Sequence, residues 1–252
     1  MSITRIYYPI DLASLLHQHL VLPLDITQHL GTVLRKKQGQ YIIIFNGQGG
    51  EYTAEITQIH RQKITLVLQS FHPQDRESAL TLQLAQCISK PIHFDFTLQK
   101  SVELGVTEIW PILSERSEPL SGKTTEQRII RWQKIITHAC EQSGRTRLPI
   151  LHPPTLLSVF SKQPGGITLF LEPTAQTRFS ELKPILQKKN PPITEPVVFK
   201  ILCGPEGGFS NAEKALLTQL NCIPLRLGPR ILRTETAGIC MLSLIQGLWG
   251  DF

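Results

Sequence analysis

The sequence predicts an α/β protein in which a small β-rich domain precedes a parallel sheet flanked by helices. Three observations predict it. From about residue 75 onward, apolar strand-like runs alternate with helical segments, the rhythm of a parallel sheet with crossover helices. The first seventy-odd residues lack that rhythm and carry three β-rich runs instead. Two glycine-bearing loops, Leu202-Cys203-Gly204-Pro205-Glu206-Gly207-Gly208-Phe209-Ser210 and Leu227-Gly228-Pro229-Arg230-Ile231-Leu232-Arg233-Thr234-Glu235-Thr236-Ala237, each stand between an apolar run and a helix. Successive strand-loop-helix units of this kind bring their loops together at the carboxyl edge of a sheet, where α/β proteins bind ligands.

In chain order, the first domain is expected over 1–74. Asp25 and Gln28 have the spacing of a capping box for a short helix running to about Leu34. Tyr41 to Phe45 and Tyr52 to Ile59 are β-rich runs around the turn-prone Asn46-Gly47-Gln48-Gly49-Gly50, and Ile64 to Leu68 adds a third, which makes a small β-barrel or sheet. Polar Phe71-His72-Pro73-Gln74-Asp75-Arg76 reads as a linker. The second domain, 75–252, continues through Leu82 to Ile88, Pro91 to Leu104, Val106 to Leu113 and a helix over 126–143. That helix has Thr124 and Gln127 at its start, Gly144 at its end and an apolar stripe of Ile129, Trp132, Ile136 and Ala139. Ile167 to Leu171 is a strand. Val197 to Leu202, bounded by Pro196, leads through the first glycine loop into a helix at Asn211, opened by a capping box of Ser210 and Glu213. Ile223 to Leu227 leads through the second into an apolar segment ending near Trp249. In that segment the small residues Ala237, Gly238, Cys240, Ser243 and Gly247 sit among large aliphatics, so burial on every side is expected, in a core or a subunit interface.

Composition excludes several classes. With 26 Lys and Arg against 20 Asp and Glu, the net charge is +6 and the pI about 9.1, a tilt toward polyanionic partners. Six cations (Lys123, Arg128, Arg131, Lys134, Arg145, Arg147) fall within 121–150 against Glu126 and Glu141, forming either a solvated face or a phosphate-facing stripe. Arg35-Lys36-Lys37 is a second basic cluster with the same two readings. The five cysteines are scattered without a Cys-x-x-Cys pair, which suggests buried hydrophobes rather than disulfides or a zinc site. The amino terminus lacks a basic segment followed by an apolar core, and no run approaches the roughly 18 apolar residues of a membrane span. A cytoplasmic protein with neither membrane nor metal partners is expected.

The glycine loops narrow the chemistry. A phosphate-cradling Walker loop needs a lysine where the first loop has Phe209, and the dinucleotide pattern Gly-x-Gly-x-x-Gly is absent. Glu206 would repel a pyrophosphate. A ligand of little or no negative charge fits better, because glycines let the backbone approach a flat ring while main-chain groups read its edge.

At these residues the chain resembles the SPOUT methyltransferases and, within them, the RsmE family, which methylates N3 of a uridine in small-subunit ribosomal RNA. The resemblance extends over Arg5-Ile6-Tyr7, His29-Leu30 with Val33-Leu34-Arg35, Gln99-Lys100-Ser101-Val102-Glu103-Leu104-Gly105-Val106, Arg131-Trp132 and Glu141-Gln142-Ser143-Gly144-Arg145-Thr146-Arg147. It departs slightly at Cys203 and Asp95. It implies a PUA-like RNA-binding β-barrel, a SPOUT α/β domain with a carboxyl-terminal trefoil knot, bent S-adenosylmethionine in the knotted loops, and a homodimer acting on small-subunit ribosomal RNA or the 30S subunit. By motif, Leu202, Gly204, Pro205, Glu206, Gly207 and Gly208 would line the cofactor pocket from one side, and Leu227, Gly228, Ile231, Leu232, Thr236 and Ala237 from the other. RNA would fall to Arg5, Arg35, Lys36, Lys100, Arg128, Arg131, Lys134, Arg145 and Arg147.

A sulfonium methyl is already activated, so alignment carries much of the catalysis, roughly 7 to 11 kcal/mol. Uridine N3 must lose a proton. Arg233 is the candidate for stabilising charge on the neighbouring oxygens, and Glu235 or Glu206 could accept the proton. Glu235 could equally be a carboxylate favoured by a helix amino terminus. The alternative to an enzyme is an RNA-binding assembly factor that keeps the fold without the chemistry.

Overall fold

The computed structural model describes residues 3–60, 63–120, 122–189 and 197–252. Pro196 and the side chains of Lys123 and Thr124 lie outside them. The chain divides into two compact units, Met1–Glu77 with Cys140–Leu148, and Ser78–Ala139 with Pro149–Phe252. Residues 140–148 thus belong with the first unit, although they follow much of the second in sequence.

In the first unit, β1 (Arg5–Tyr7), β2 (His19–Val21), β3 (Tyr41–Phe45), β4 (Glu51–His60) and β5 (Lys63–His72) form a sheet in the order β1-β3-β4-β5-β2. β1 runs parallel to β3 and the remaining ladders are antiparallel. Of the two forms open from sequence, barrel or sheet, the ladders trace an open five-stranded path. Alternation sets the core: Tyr52, Ala54 and Ile56 on β4 and Ile64, Leu66 and Leu68 on β5 point inward. The helix α1 (Leu24–Gln28) starts after Pro23 with no side-chain cap, so the box expected from Asp25 is not made; a single π turn, His29–Val33, extends it.

The expected linker is not free chain. β5 continues through His72, and the Phe71 ring packs 4.9 Å from Tyr52. Beyond it, Asp75 receives Arg147 Nε at 3.1 Å, and Arg76 Nη1 donates to Glu51 at 3.1 Å and to the Gly144 carbonyl at 2.7 Å.

The second unit follows the expected alternation: β6 (Thr81–Cys87), α2 (Pro91–Glu103), β7 (Glu108–Leu113), α3 (Lys123–Ser143), β8 (Ile150–Leu151), β9 (Thr155–Leu156), α4 (Leu157–Phe160), β10 (Ile167–Leu171), α5 (Phe179–Lys189), β11 (Val198–Cys203), α6 (Asn211–Gln219), β12 (Ile223–Leu225) and α7 (Thr234–Trp249). Its strands are parallel, in the order β12-β10-β11-β6-β7-β8, with β9 also on β7. β11 lies between β10 and β6, so residues far apart in sequence share one carboxyl edge. α3 begins at Lys123, which puts Thr124 inside the helix rather than at its cap. Trp132, Ile136 and Ala139 are buried as the stripe requires.

Within the chain, α7 is buried on one face: Gly238, Met241, Leu242 and Ile245 face inward, while Leu248 is 43 % exposed. A Cβ at Gly238 would stand 3.2 Å from Cys203 Sγ and 3.3 Å from Gln86 Oε1, so the missing side chain is what lets α7 lie against β11 and β6. Gln246, almost fully buried, donates to the Leu104 carbonyl at 3.0 Å and accepts from Ser78 Oγ at 2.9 Å, fixing the helix further along. Among the described residues no helix is long and apolar enough to cross a membrane.

Candidate functional site

The two glycine loops meet. β11 ends at Cys203, and the chain turns through Gly208, whose φ of 68° suits glycine and whose N–H donates to the Pro205 carbonyl at 2.9 Å. Phe209 then folds back beneath Gly204, where any Cβ would stand 3.1 Å from its ring. Ser210 and Glu213 make the expected reciprocal capping box at the start of α6. The second Glu213 oxygen accepts from the Glu115 N–H at 2.9 Å, and Arg116 Nη1 donates to the Gly207 carbonyl at 2.8 Å, which ties the segment after β7 to the first loop. The second loop closes on the first through Thr234 Oγ1, which donates to the Gly204 carbonyl at 2.6 Å and accepts from Gln86 Nε2 at 2.8 Å.

Between these loops and the end of β10 lies a cavity of about 740 Å³, within the range of small-molecule and cofactor sites. Gly204, Pro205, Glu206, Gly207 and Gly208 line it from β11, and Leu227, Gly228, Ile231, Leu232, Arg233, Glu235 and Ala237 from the second loop and α7. A Cβ at Gly208 or Gly228 would meet nothing within 4 Å, so both glycines leave open space and, at φ values of 68° and 131°, hold backbone that other residues rarely adopt. Two expected residues stand apart: Leu202 is wholly buried in the core and Thr236 is exposed, and neither lines the cavity.

Several lining residues had no counterpart in the sequence reading. Glu172, just after β10, holds Lys214 Nζ at 2.8 Å and accepts from Thr174 Oγ1 at 2.6 Å. Burial opposes ionisation of its carboxyl, but Lys214 and the Thr174 hydroxyl and N–H outweigh that and hold it below the usual carboxylate value. Glu172-Pro173-Thr174 directly follows a strand of the parallel sheet, and that position was the available signal. Lys90 and His93 come from the start of α2, and Arg116, Arg226 and Arg230 from loops. Glu235 is buried, with His93 Nδ1 at 3.1 Å from its Oε1. The thiols behind the loops are not nucleophiles: burial pushes Cys87 up to about 12 and raises Cys203 too. All five cysteines are free, four of them buried. Among the described residues no cluster could hold a metal ion.

The basic residues separate into two groups. Arg5 and Arg145 are engaged inside the first unit: Arg5 Nη1 donates to Glu51 at 2.6 Å, and Arg145, 5 % exposed, is bonded through Nε to Glu77 at 3.0 Å. Both guanidiniums serve internal ion pairs that phosphate would have to break. Lys100 is paired with Glu103 at 2.8 Å, Arg147 with Asp75, and Arg131 with Asp95. Arg35, Arg131, Lys134 and Arg147 are exposed, while Lys36 and Arg128 are half-buried.

A sheet edge of this order, with both loops lining one cavity, defines a class. The chain belongs to the RNA methyltransferase family: that family's domain model matches residues 76–246, and the RNA methyltransferase PUA domain matches 23–69. Among curated proteins it is 33 % identical over 253 residues to the ribosomal RNA small subunit methyltransferase E of Buchnera aphidicola subsp. Schizaphis graminum, covering 99 % of this chain and 98 % of the relative. It is 29 % identical to the protein of that name from Bacillus subtilis, covering 86 % of each chain. Two solved structures match it over 100 % of both chains. The ribosomal RNA small subunit methyltransferase E of Neisseria gonorrhoeae bound to S-adenosyl methionine shares 34 % identity at a TM-score of 0.88. A putative methyltransferase of Legionella pneumophila, in complex with the same cofactor, shares 36 % at 0.90.

Proposed function

We propose that this protein transfers a methyl group from S-adenosylmethionine to N3 of a uridine in small-subunit ribosomal RNA. The observation that carries the reading is the cavity at the carboxyl edge of β10, β11 and β12, walled by two glycine loops whose absent side chains leave room for a ligand. Family membership and the cofactor-bound relatives support the same reading. Gly204 to Gly208 would hold the cofactor from one side, and Leu227, Gly228, Ile231, Leu232 and Ala237 from the other. Bound there, it supplies an activated sulfonium methyl.

The chain's own residues have three tasks in this reading. The loops fix direction of attack, Arg233 stabilises negative charge on the base oxygens, and an acceptor lining the cavity takes the N3 proton. Exposed cations of the first unit and of α3, among them Arg35, Arg131 and Lys134, hold phosphates. The passage of residues 226–233 back to the first loop, sealed by Thr234, is read as the threaded crossing of a trefoil knot. A homodimer working in the cytoplasm completes the proposal; Ile231, 85 % exposed at the cavity, is apolar surface that a second copy would cover. An RNA-binding factor without chemistry would have no use for the open cavity.

Methyl transfer to purified 30S subunits and to naked ribosomal RNA, with the product nucleoside identified by mass spectrometry and cofactor binding measured by calorimetry, tests the whole reading. Cofactor binding with no methylated product would favour the non-catalytic alternative. A product other than N3-methyluridine would displace the uridine assignment alone.

A further inference from the structure

We propose that His93 is the general base that removes the N3 proton, with Glu235 fixing its tautomer; this rests on the uridine reading above. His93 lies in the first turn of α2 and Glu235 in the first turn of α7, and both line the cavity. The His93 Nδ1 stands 3.1 Å from Glu235 Oε1. The pair stands within hydrogen-bonding reach, and a neutral imidazole that donates to the carboxylate through Nδ1 carries its hydrogen there, which leaves the lone pair on the other nitrogen. That other nitrogen, Nε2, has no hydrogen-bond partner among the described residues, and His93 is the more exposed member of the pair, 26 % against 11 % for the two side chains. Glu235 therefore orients the base rather than meeting the substrate.

The cavity's other charged groups are Lys90, Arg116, Arg226, Arg230, Arg233 and Glu206, together with the Glu172–Lys214 pair. Of the side chains that line the cavity, His93 is the imidazole; the Lys214 ammonium is taken up by Glu172 and the guanidiniums have no lone pair to offer a proton. The step balances without a further reagent. The N3–H electron pair forms the new bond to the sulfonium methyl carbon, the carbon–sulfur pair leaves with sulfur, and the N3 proton goes to His93 Nε2. The imidazolium is stabilised by Glu235 and afterwards loses its proton to solvent. The arrangement follows the same logic as a carboxylate–histidine pair in acyl transfer, where the carboxylate holds the ring and is not itself protonated.

The test compares wild type, His93→Asn and Glu235→Gln in single-turnover methyl transfer to 30S subunits at saturating cofactor, from about pH 6 to about pH 9. His93→Asn should be slower by about a hundredfold near neutrality, the usual scale of a lost general base. The deficit should shrink as pH rises and hydroxide takes over. A deficit that stays constant with pH, or a rate within about threefold of wild type, overturns the proposal. If the wild type methylates an atom other than N3, the uridine reading falls and this one with it; an N3 product with an unimpaired variant refutes only His93. A second readout needs neither cofactor nor RNA. In ¹⁵N NMR of histidine-labelled protein, the His93 resonances, assigned by their loss in the variant, should report the Nδ1–H tautomer, and Glu235→Gln should redistribute it. An Nε2–H tautomer in the wild type contradicts the assignment whatever rates the variants show.

Discussion

Thr234 Oγ1 lies 2.6 Å from the Gly204 carbonyl, so one hydroxyl closes the loop before α7 onto the loop after β11. The same oxygen accepts from Gln86 Nε2 at the end of β6. Thr234→Val keeps the shape and removes both bonds. Leaving the half-buried Gly204 carbonyl and the Gln86 amide unmet costs about 1 kcal/mol, so the variant should melt a few degrees lower and bind S-adenosylmethionine on the order of tenfold more weakly. Denaturant titration and calorimetry measure the two effects. A normal affinity in a destabilised variant would show that the hydroxyl holds the fold and not the cofactor loops.

Gly207 offers a narrower probe of the cavity. A Cβ there would come within 3.3 Å of Arg116 Cδ, a flexible neighbour that can shift. Gly207→Val should therefore fold while filling space at the first loop, and lose most of its cofactor affinity. Wild-type affinity in calorimetry would remove Gly207 from the binding wall.

Glu51 governs an acid-dependent part of stability in the first unit. Burial opposes its ionisation, but Arg5 and Arg76 more than compensate and hold its carboxyl below the ordinary value of 4.5. A carboxyl depressed on folding stabilises the protein at pH above 4.5, and the contribution disappears as pH falls through the lower folded value. Glu51→Gln should cost on the order of 2 kcal/mol near neutrality, where it strips a charged partner from Arg5. The gap to wild type should narrow below about pH 4.5. Chemical denaturation across that range distinguishes this from a pH-independent packing loss.

These residues also mark how far sequence reaches. The glycine loops were legible because a positive φ and a close approach of backbone are local demands that glycine meets alone. The capping box of Ser210 and Glu213 was legible for the same reason, its two bonds spanning three residues. Lys90, His93, Arg116 and Glu172 were not, because they reach the cavity only through the strand order β10-β11-β6-β7, in which β11 pairs with β6 from far earlier in the chain. Arg145 looked like an RNA ligand because its partner Glu77 lies 68 residues away and leaves no local trace. The final helix shows the same limit: of its two glycines, Gly238 makes a tight approach to Cys203 and Gln86 and Gly247 meets nothing, a difference set by partners far away in the chain.

RNA affinity should distinguish the exposed cations from the internal ones. Replacing Arg131 and Lys134 by Gln removes two exposed charges, one of which is already shared with Asp95. Affinity for the 30S subunit should fall, and the salt slope should decrease by about one unit for each phosphate no longer neutralised. Arg145→Gln should instead lower stability, since it abandons a buried pair with Glu77. An unchanged salt dependence in the double variant would assign that face of α3 to solvent or to a second copy of the chain.

Arg233 is the sharpest test of the chemistry, because among the described residues the fold makes no visible use of its side chain. It occupies the N-cap of α7 without a side-chain capping bond, is exposed, and lines the cavity beside Glu235. Its structural contribution is the carbonyl that accepts from the Ala237 N–H at 2.9 Å, which any residue would supply. Arg233→Ala should accordingly leave the melting temperature and cofactor affinity nearly unchanged. The single-turnover rate of methyl transfer should fall on the order of a hundredfold or more, the cost of one preorganised donor facing developing charge. Arg233→Lys keeps the charge and gives up the planar pair of donors. Partial recovery would mean simple charge stabilisation, and no recovery would mean two-point recognition of the base. If Arg233→Ala instead loses cofactor binding while the rate at saturation is preserved, the residue belongs to the cofactor site and its assignment to the base is wrong.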